Sequence, residues 1–335
     1  MEQDQIQRST FNVSRPLRVG FVGTGGIVAR HIKALQEIEN VEIVGISGRS
    51  VEKAQAVASK AGLAAQVFDD YHKMFEQTEL DAVYICLIPS THGELELAAL
   101  ERGLALFVEK PLSADSDTAE EIARAIAAKG AVTSVGYQWR YMNTTESAQQ
   151  LAAKHPTQMA LGYWLDSMPS VPWWSKQDQS GGQVVEQTTH LFDLARLLVG
   201  EVKQVYALGR NFGPPESGID VDRVSTVTLE FASGAIGTIS STSLLKGRFR
   251  GGLELFSPGL SLGLYHEQLL IDEGSGNSRV EPVTVDPFVR ENRDFLEAVA
   301  GGQHNIRCDY AEALRTHRVT QAAARSVREH RPVEI

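Results

Sequence analysis

Leu17-Arg18-Val19-Gly20-Phe21-Val22-Gly23-Thr24-Gly25-Gly26-Ile27 is the stretch on which the fold turns. Its first six residues are a short run rich in strand formers. The glycines follow at once, and helical spacing then runs through Ile27, His31, Ala34 and Leu35. A strand that feeds a helix through a glycine turn is the opening unit of a doubly wound parallel sheet. The unit repeats. Residues 41–46 form a second apolar run, followed by Ser47-Gly48-Arg49-Ser50 and a helical segment over 51–61. Further runs at 82–88 and 105–108 are separated by a helix over 93–102. The alternation predicts an α/β Rossmann domain, whose ligands sit at the carboxyl ends of the strands. Residues just after the apolar runs are therefore the candidates.

At the first turn, Gly23 permits the tight bend, and Gly25 lets the backbone approach a pyrophosphate on the helix N-terminus. The third fingerprint position is Val28 rather than Gly or Ala, while Gly26 adds freedom. A bare Gly-x-Gly also occurs as a plain loop; its place between strand and helix favours a dinucleotide. The second strand ends without the acid that usually binds the adenosine ribose: Gly48 stands there, then Arg49, Ser50 and Lys53. With no carboxylate to repel a 2′-phosphate and Arg49 to bind one, NADP is favoured over NAD. The alternative is that Arg49 and Lys53 are solvated surface charges. The third strand leads into Ile88-Pro89-Ser90-Thr91-His92 and the fourth into Glu109-Lys110-Pro111. A lysine at that edge is placed to face the cofactor, although a surface ion pair of Glu109 would use the same residues.

The chain has 335 residues, 42% apolar and 22% charged, with 29 Gly and 12 Pro, which suits about two globular domains and excludes a coiled coil or a collagen-like repeat. No apolar stretch is long enough for a membrane span. Residues 1–16 are polar with no apolar core, so no secretory signal is expected. Two cysteines, Cys86 and Cys308, suit a reducing compartment and a cytoplasmic protein; Cys86, inside an apolar run, reads as a small core residue. The net charge of −10 and the lack of a basic cluster speak against nucleic acid.

The second half changes character. A helix over 191–199 stops at Gly200, and strands are expected at 204–208, 227–231, 235–243, 253–256 and 268–271, with closing helices over 286–300 and 309–329. The expected organisation is a dinucleotide-binding domain over residues 1–136 and an α+β domain over 137–335 with a largely antiparallel open sheet. Its apolar face would pack on the helices, and its Ser/Thr-rich face is either solvated or meets another subunit.

Gly23-Thr24-Gly25-Gly26-Ile27, Asp81-Ala82-Val83-Tyr84-Ile85 and Glu109-Lys110-Pro111 occur together in this order. So arranged, the chain resembles the Gfo/Idh/MocA family, the relatives of glucose–fructose oxidoreductase and inositol dehydrogenase. Gly136-Tyr137-Gln138-Trp139-Arg140-Tyr141 resembles that family's crossover into its second domain. The segment from Ser180-Gly181-Gly182 through Glu186 to His190 resembles its catalytic helix. The resemblance implies a nicotinamide-dependent dehydrogenase or reductase of sugars, polyols or cyclitols, working as a homodimer or homotetramer. It differs from the family pattern at Val28, Gly48, Ile88-Pro89 and Glu186, the last standing where the family has Asp.

The resemblance implies Lys110, His190 and Glu186 as the catalytic set. The cofactor would lie on Gly23, Thr24, Gly25, Gly26, Ile27, Ser47, Arg49, Ser50, Ile88, His92, Glu109 and Lys110. His92 reads first as a residue that orients its own loop. In this reading hydride passes between substrate carbon and nicotinamide, His190 shuttles the hydroxyl proton, and Lys110 stabilises developing alkoxide charge. Glu186, four residues before His190, would orient the imidazole on a shared helix face; such a pair is also often a plain helix staple. Trp173 and Trp174 would wall a sugar ring or the nicotinamide, or be core aromatics. Arg140 and Tyr141 would reach the substrate, or Arg140 would join the domains through an ion pair. No metal is expected, since no Cys/His cluster has ligand spacing. Two other functions stay open: a cofactor-binding regulator, which would have no use for the three catalytic residues together, and nicotinamide-assisted elimination or glycoside cleavage without net redox.

Overall fold

A computed structural model describes residues 13–274 and 276–335; most of the polar opening stretch read above lies outside the described residues. The quoted run forms β1 (Leu17–Val22), followed by α1 (Gly26–Leu35), β2 (Val41–Ser47), α2 (Val51–Ala61) and β3 (Gln66–Phe68). Then come α3 (Tyr71–Gln77), β4 (Ala82–Ile85), α4 (Glu94–Glu101), β5 (Ala105–Val108), α5 (Ser116–Lys129) and β6 (Thr133–Val135). These six strands pair in parallel in the order β3-β2-β1-β4-β5-β6. Local chemistry sets the helix ends. The Ser50 hydroxyl accepts the Lys53 N–H at the start of α2, and Gly62 ends that helix in the left-handed conformation. Asp115 and Gly130 do the same for α5.

The run read as a strand over 82–88 leaves the ladder after Ile85. Pro89 has no N–H to offer a neighbour and opens a single 3₁₀ turn, Pro89–Thr91. β3 and β6, three residues each, are too short for alternation to announce them.

The chain crosses through α6 (Asn143–Lys154) and β7 (Met159–Leu165), then makes α7 (Gln177–Ser180), α8 (Gln183–Glu186) and α9 (Thr189–Val199). Seven more strands and two helices follow: β8 (Val202–Arg210), β9 (Val224–Phe231), β10 (Ile236–Thr242), β11 (Arg250–Ser257), β12 (Leu260–Tyr265), β13 (Gln268–Asp272), β14 (Arg279–Pro282), α10 (Pro287–Val299) and α11 (Tyr310–Glu329). β15 (Val333–Glu334) ends the chain. Among the described residues β7 to β15 form a nine-stranded sheet, order β14-β13-β12-β11-β7-β10-β9-β8-β15, antiparallel except where β7 meets β10.

Apolar clusters cover both faces of the parallel sheet. On one, Phe21, Tyr84 and Phe107 of adjacent strands stack with 4.8 Å between successive ring centroids. The last helices return to this unit: Phe295 and Leu296 of α10 join that cluster, and Tyr310 and Leu314 of α11 join the one on the other face. A third cluster joins α9 to the inner face of the nine-stranded sheet through Leu191, Leu194, Val205, Val227, Ile239 and Leu253. α9 is thus clamped between that sheet and α11, which fixes the depth at which His190 sits.

Candidate active site

At the β1–α1 turn Gly23 has φ +123°, and a Cβ there would lie 2.2 Å from the Cys86 carbonyl oxygen. Only glycine fits. Gly25 caps α1 with no side-chain hydrogen bond, the first turn carries no acid, and a Cβ on Gly25 or Gly26 would meet nothing within 4 Å. Open space thus faces uncapped N–H groups at a helix N-terminus, a cradle that fits a pyrophosphate. Val28, the odd residue of the fingerprint, is buried in the cluster beneath and helps hold α1 on the sheet. Thr24 and Ile27 are half-buried beside the glycines. A Cβ at Gly48 would lie 2.6 Å from the Thr24 methyl, which is a local reason for glycine where the ribose acid usually stands. Ser47 is buried and its carbonyl accepts the Gly23 N–H at 2.9 Å. Ser50 is used as the α2 cap. Arg49 is exposed, and no carboxylate among the described residues pairs with it.

The Ile88 carbonyl accepts both the N–H and the hydroxyl of Thr91, closing the turn after β4. His92 faces inward: it is buried, and its Nδ1 meets Glu96 Oε1 at 2.5 Å while Glu96 Oε2 accepts the Gly93 N–H. The ring orients its own loop through Nδ1, and its Nε2 is buried with no partner among the described residues. Glu109 is likewise buried. Its carboxylate meets His31 Nε2 at 2.8 Å and accepts the Lys110 N–H at 3.1 Å, so it is spent inside the protein. Lys110 emerges at the end of β5, and its Nζ donates to the Glu186 carbonyl at 2.8 Å and to Glu186 Oε1 at 2.9 Å.

Those bonds correct the reading of Glu186. The expected shared helix is broken: α8 ends at Glu186 and α9 begins at Thr189. The Thr188 hydroxyl lies within hydrogen-bond distance of the Gln183 and Val184 carbonyls at this break. Glu186 therefore holds Lys110, and its second oxygen accepts the Trp174 indole N–H at 2.8 Å. Trp174 is a buried support for the carboxylate rather than an open wall, while Trp173 beside it is half-buried.

His190 is packed by rings. Trp139 and Trp164 lie nearly parallel to it with centroids 6.2 Å away, and Tyr137 meets it edge-on at 5.8 Å, its hydroxyl 2.7 Å from Thr189 Oγ1. Its Nδ1 is buried with no partner among the described residues. Burial first, then the Lys110 ammonium ahead of smaller contributions from His266 and Arg248, holds the imidazole well below its ordinary value, so it is neutral at neutral pH. A neutral imidazole beside an ammonium is a proton acceptor next to a group that stabilises oxyanion charge.

Arg140 and Tyr141 are turned away from this space. Arg140 is buried and grips Asp193 with two 2.7 Å bonds, adding Glu312 at 2.9 Å; Tyr141 is fully buried and its hydroxyl accepts the Arg307 N–H at 3.0 Å. The ion-pair reading of Arg140 is the one the geometry has, because its guanidinium finds two carboxylates before any solvent. Sequence reasoning passed over Trp164, Tyr137, His266 and Arg248, which reach His190 from four separate segments with no common spacing to reveal them.

Two family models match the chain. "Oxidoreductase family, NAD-binding Rossmann fold" covers residues 17–137, and "GFO/IDH/MocA C-terminal domain" covers 156–257. The chain belongs to the Gfo/Idh/MocA family. It is an NAD(P)-dependent oxidoreductase of that family. It is 27% identical to scyllo-inositol 2-dehydrogenase (NAD(+)) of Bacillus subtilis, across 95% of this chain and 96% of that protein. It is also 27% identical to D-xylose 1-dehydrogenase (NADP(+)) 2 of Haloferax volcanii, across 94% and 99%. Among solved structures, levoglucosan dehydrogenase in complex with NADH superposes with a TM-score of 0.87 over 96% of this chain and 99% of that one; at 20% identity this is a likeness of fold. Among the described residues no helix is long and apolar enough to cross a membrane.

Proposed function

We propose that this Gfo/Idh/MocA oxidoreductase interconverts a secondary alcohol and a ketone on a sugar, polyol or cyclitol. The observation that carries the reading is the Lys110–Glu186 pair, set at the carboxyl edge that also holds the glycine cradle, with neutral His190 beside it. When bound, the nicotinamide supplies or accepts the hydride. Lys110 donates a hydrogen bond to the substrate oxygen and stabilises its developing charge. His190 takes the hydroxyl proton on oxidation and returns it on reduction. Glu186, backed by the Trp174 indole, aims the ammonium. Trp173 borders the substrate. Gly23, Thr24, Gly25, Gly26 and Ile27 hold the pyrophosphate, with Ser47, Ser50 and Ile88 shaping the walls around the dinucleotide.

Exposed Arg49, with no carboxylate partner among the described residues, and the glycine at 48 favour NADP over NAD. A homodimer or homotetramer would form through the outer face of the nine-stranded sheet, where Met159, Tyr206, Leu208 and Ile236 lie exposed on one side. Two unpaired cysteines and the absence of a basic cluster fit a cytoplasmic protein acting on small molecules.

The test is a tryptophan-fluorescence titration with NADH and NADPH, followed by turnover of myo-inositol, scyllo-inositol, D-xylose and levoglucosan at 340 nm. Tenfold tighter NADPH, about 1.4 kcal/mol, supports the Arg49 reading; equal or tighter NADH removes it and leaves the dehydrogenase. Product without net change in absorbance would replace alcohol oxidation by elimination or glycoside cleavage.

A further inference from the structure

The proton chemistry above leaves His31 and Glu109 unused. His31, on the cofactor helix α1, is fully buried, with Nε2 2.8 Å from Glu109 Oε1 and Nδ1 3.0 Å from the Asn292 amide nitrogen on α10. Nδ1 also lies 3.3 Å from Asn292 Oδ1, but the shorter contact is to the amide nitrogen, which the Phe288 carbonyl orients at 2.7 Å; with Nδ1 accepting from Asn292, Nε2–H donates to the carboxylate. The other Glu109 oxygen accepts the Lys110 N–H. The carboxylate lies in a slot that exists because residue 136 is glycine; a Cβ there would stand 2.6 Å from Glu109 Oε1.

We propose that His31 is a positioning residue for Lys110. It orients the Glu109 carboxylate, which clamps the Lys110 backbone and ties the reacting amine to the helix that carries the cofactor. Packing alone does not call for an imidazole. The ring sits edge-on to Phe107 at 4.7 Å and to Phe288 at 5.5 Å, contacts that a phenyl ring would also make, but a phenyl ring would leave the buried Glu109 carboxylate without its N–H donor. The chain His31–Glu109–Lys110 instead links α1, β5 and α10 by hydrogen bonds whose direction is fixed. A misplacement of about 1 Å at a reacting group can lower turnover on the order of 100-fold. The inference rests on the proposed role of Lys110.

Three substitutions separate positioning from packing. His31→Gln puts an amide N–H near the Nε2 position, His31→Asn reaches only the Nδ1 position, and His31→Phe keeps the ring alone. With a substrate from the panel above, kcat of the Asn and Phe variants falls by about 10- to 100-fold, and Gln recovers it to within about threefold. KM for cofactor and substrate stays within about threefold throughout. Asn matching Gln in kcat, or a loss confined to cofactor KM, overturns the proposal. Should the histidine variants fail to fold, Glu109→Gln serves: His31 and Lys110 approach different carboxylate oxygens, so one of the two donors would face an amide NH2 that cannot accept, and kcat falls at least about tenfold, whereas an unchanged kcat overturns the proposal. Lys110→Met is run alongside. If it retains turnover, the role of Lys110 falls and this inference with it; if it is dead while His31→Asn is intact, only the inference falls.

Discussion

Lys110 and His190 are the residues on which activity should depend most. Lys110→Met removes the proposed donor to the substrate oxygen, and kcat is expected to fall about 100- to 1,000-fold with NAD(P)H binding by fluorescence retained. His190 answers to pH. An imidazole pushed below its ordinary value stays unprotonated to lower pH, so oxidation should keep its kcat as pH falls from 8 to 6.5. A pH–rate profile that loses activity through 6.5 would contradict this. Glu291 on α10 tests the opposite sign. It is fully buried, both carboxylate oxygens lack partners among the described residues, and burial, then Glu109, Asp294 and Asp193, pushes it well above the carboxylate range. A raised folded value gives stability that is complete below the unfolded value of about 4.3 and is lost as pH rises. Glu291→Gln, neutral in both states, should therefore melt at least about 2 °C above the parent at pH 8, with the gap closing toward pH 5. Lys110 and His190 enter as candidates through the family resemblance, because position alone leaves a strand-end lysine and a helix histidine open to structural roles. The roles of Glu186, Glu109 and His92 were not legible in the sequence, because each depends on a partner that the fold supplies: Glu186 meets a lysine 76 residues away.

Among the elements, the turn between β1 and α1 allows the cleanest comparison. Gly23→Ala places a methyl 2.2 Å from a backbone oxygen at a φ of +123°. It should destabilise the protein by about 2 kcal/mol or more and abolish cofactor binding. Gly25→Ala meets only open space, so its melting temperature should stay within about 2 °C of the parent, while affinity for NAD(P)H falls because the methyl stands in the cradle. Equal loss of stability in the two would remove the argument. Elements bounded by chemistry were readable to the residue, as with β1, β5 and α2 between Ser50 and Gly62. Strand β4 was read too long, and the break between α8 and α9 was missed. In both, an apolar or helical pattern continues past the point where a proline or a threonine hydroxyl redirects the backbone.

Across the whole molecule, the two sheets are joined by a buried charge network. Asp193 on α9 pairs with Arg140 at the crossover, Thr316 donates to the same carboxylate, and Glu312 on α11 links Arg140 to Arg196. Asp193→Ala leaves Arg140 short of a buried countercharge and should lower stability by about 3 kcal/mol, read by urea unfolding. The outer sheet face offers the other test. If it is the subunit contact, Leu208→Glu with Ile236→Glu should reduce the mass measured by light scattering to that of one chain, and an unchanged mass would place the contact elsewhere.

Read along the chain, the residues carry the family, the two sheets and the glycine turn between β1 and α1, and through the family resemblance they single out Lys110 and His190 as the candidates for the reaction. Those features are local: a strand, a glycine turn, a helix cap or a short motif carries its meaning within a dozen residues. Folding in three dimensions sets which carboxylate serves which partner, pairs Arg140 with Asp193 and Glu312, and walls His190 with rings from distant segments. Such pairings are set by which groups meet once the core closes, and a buried charge or proton donor bonds the partner that packing brings to it, whatever its distance along the chain.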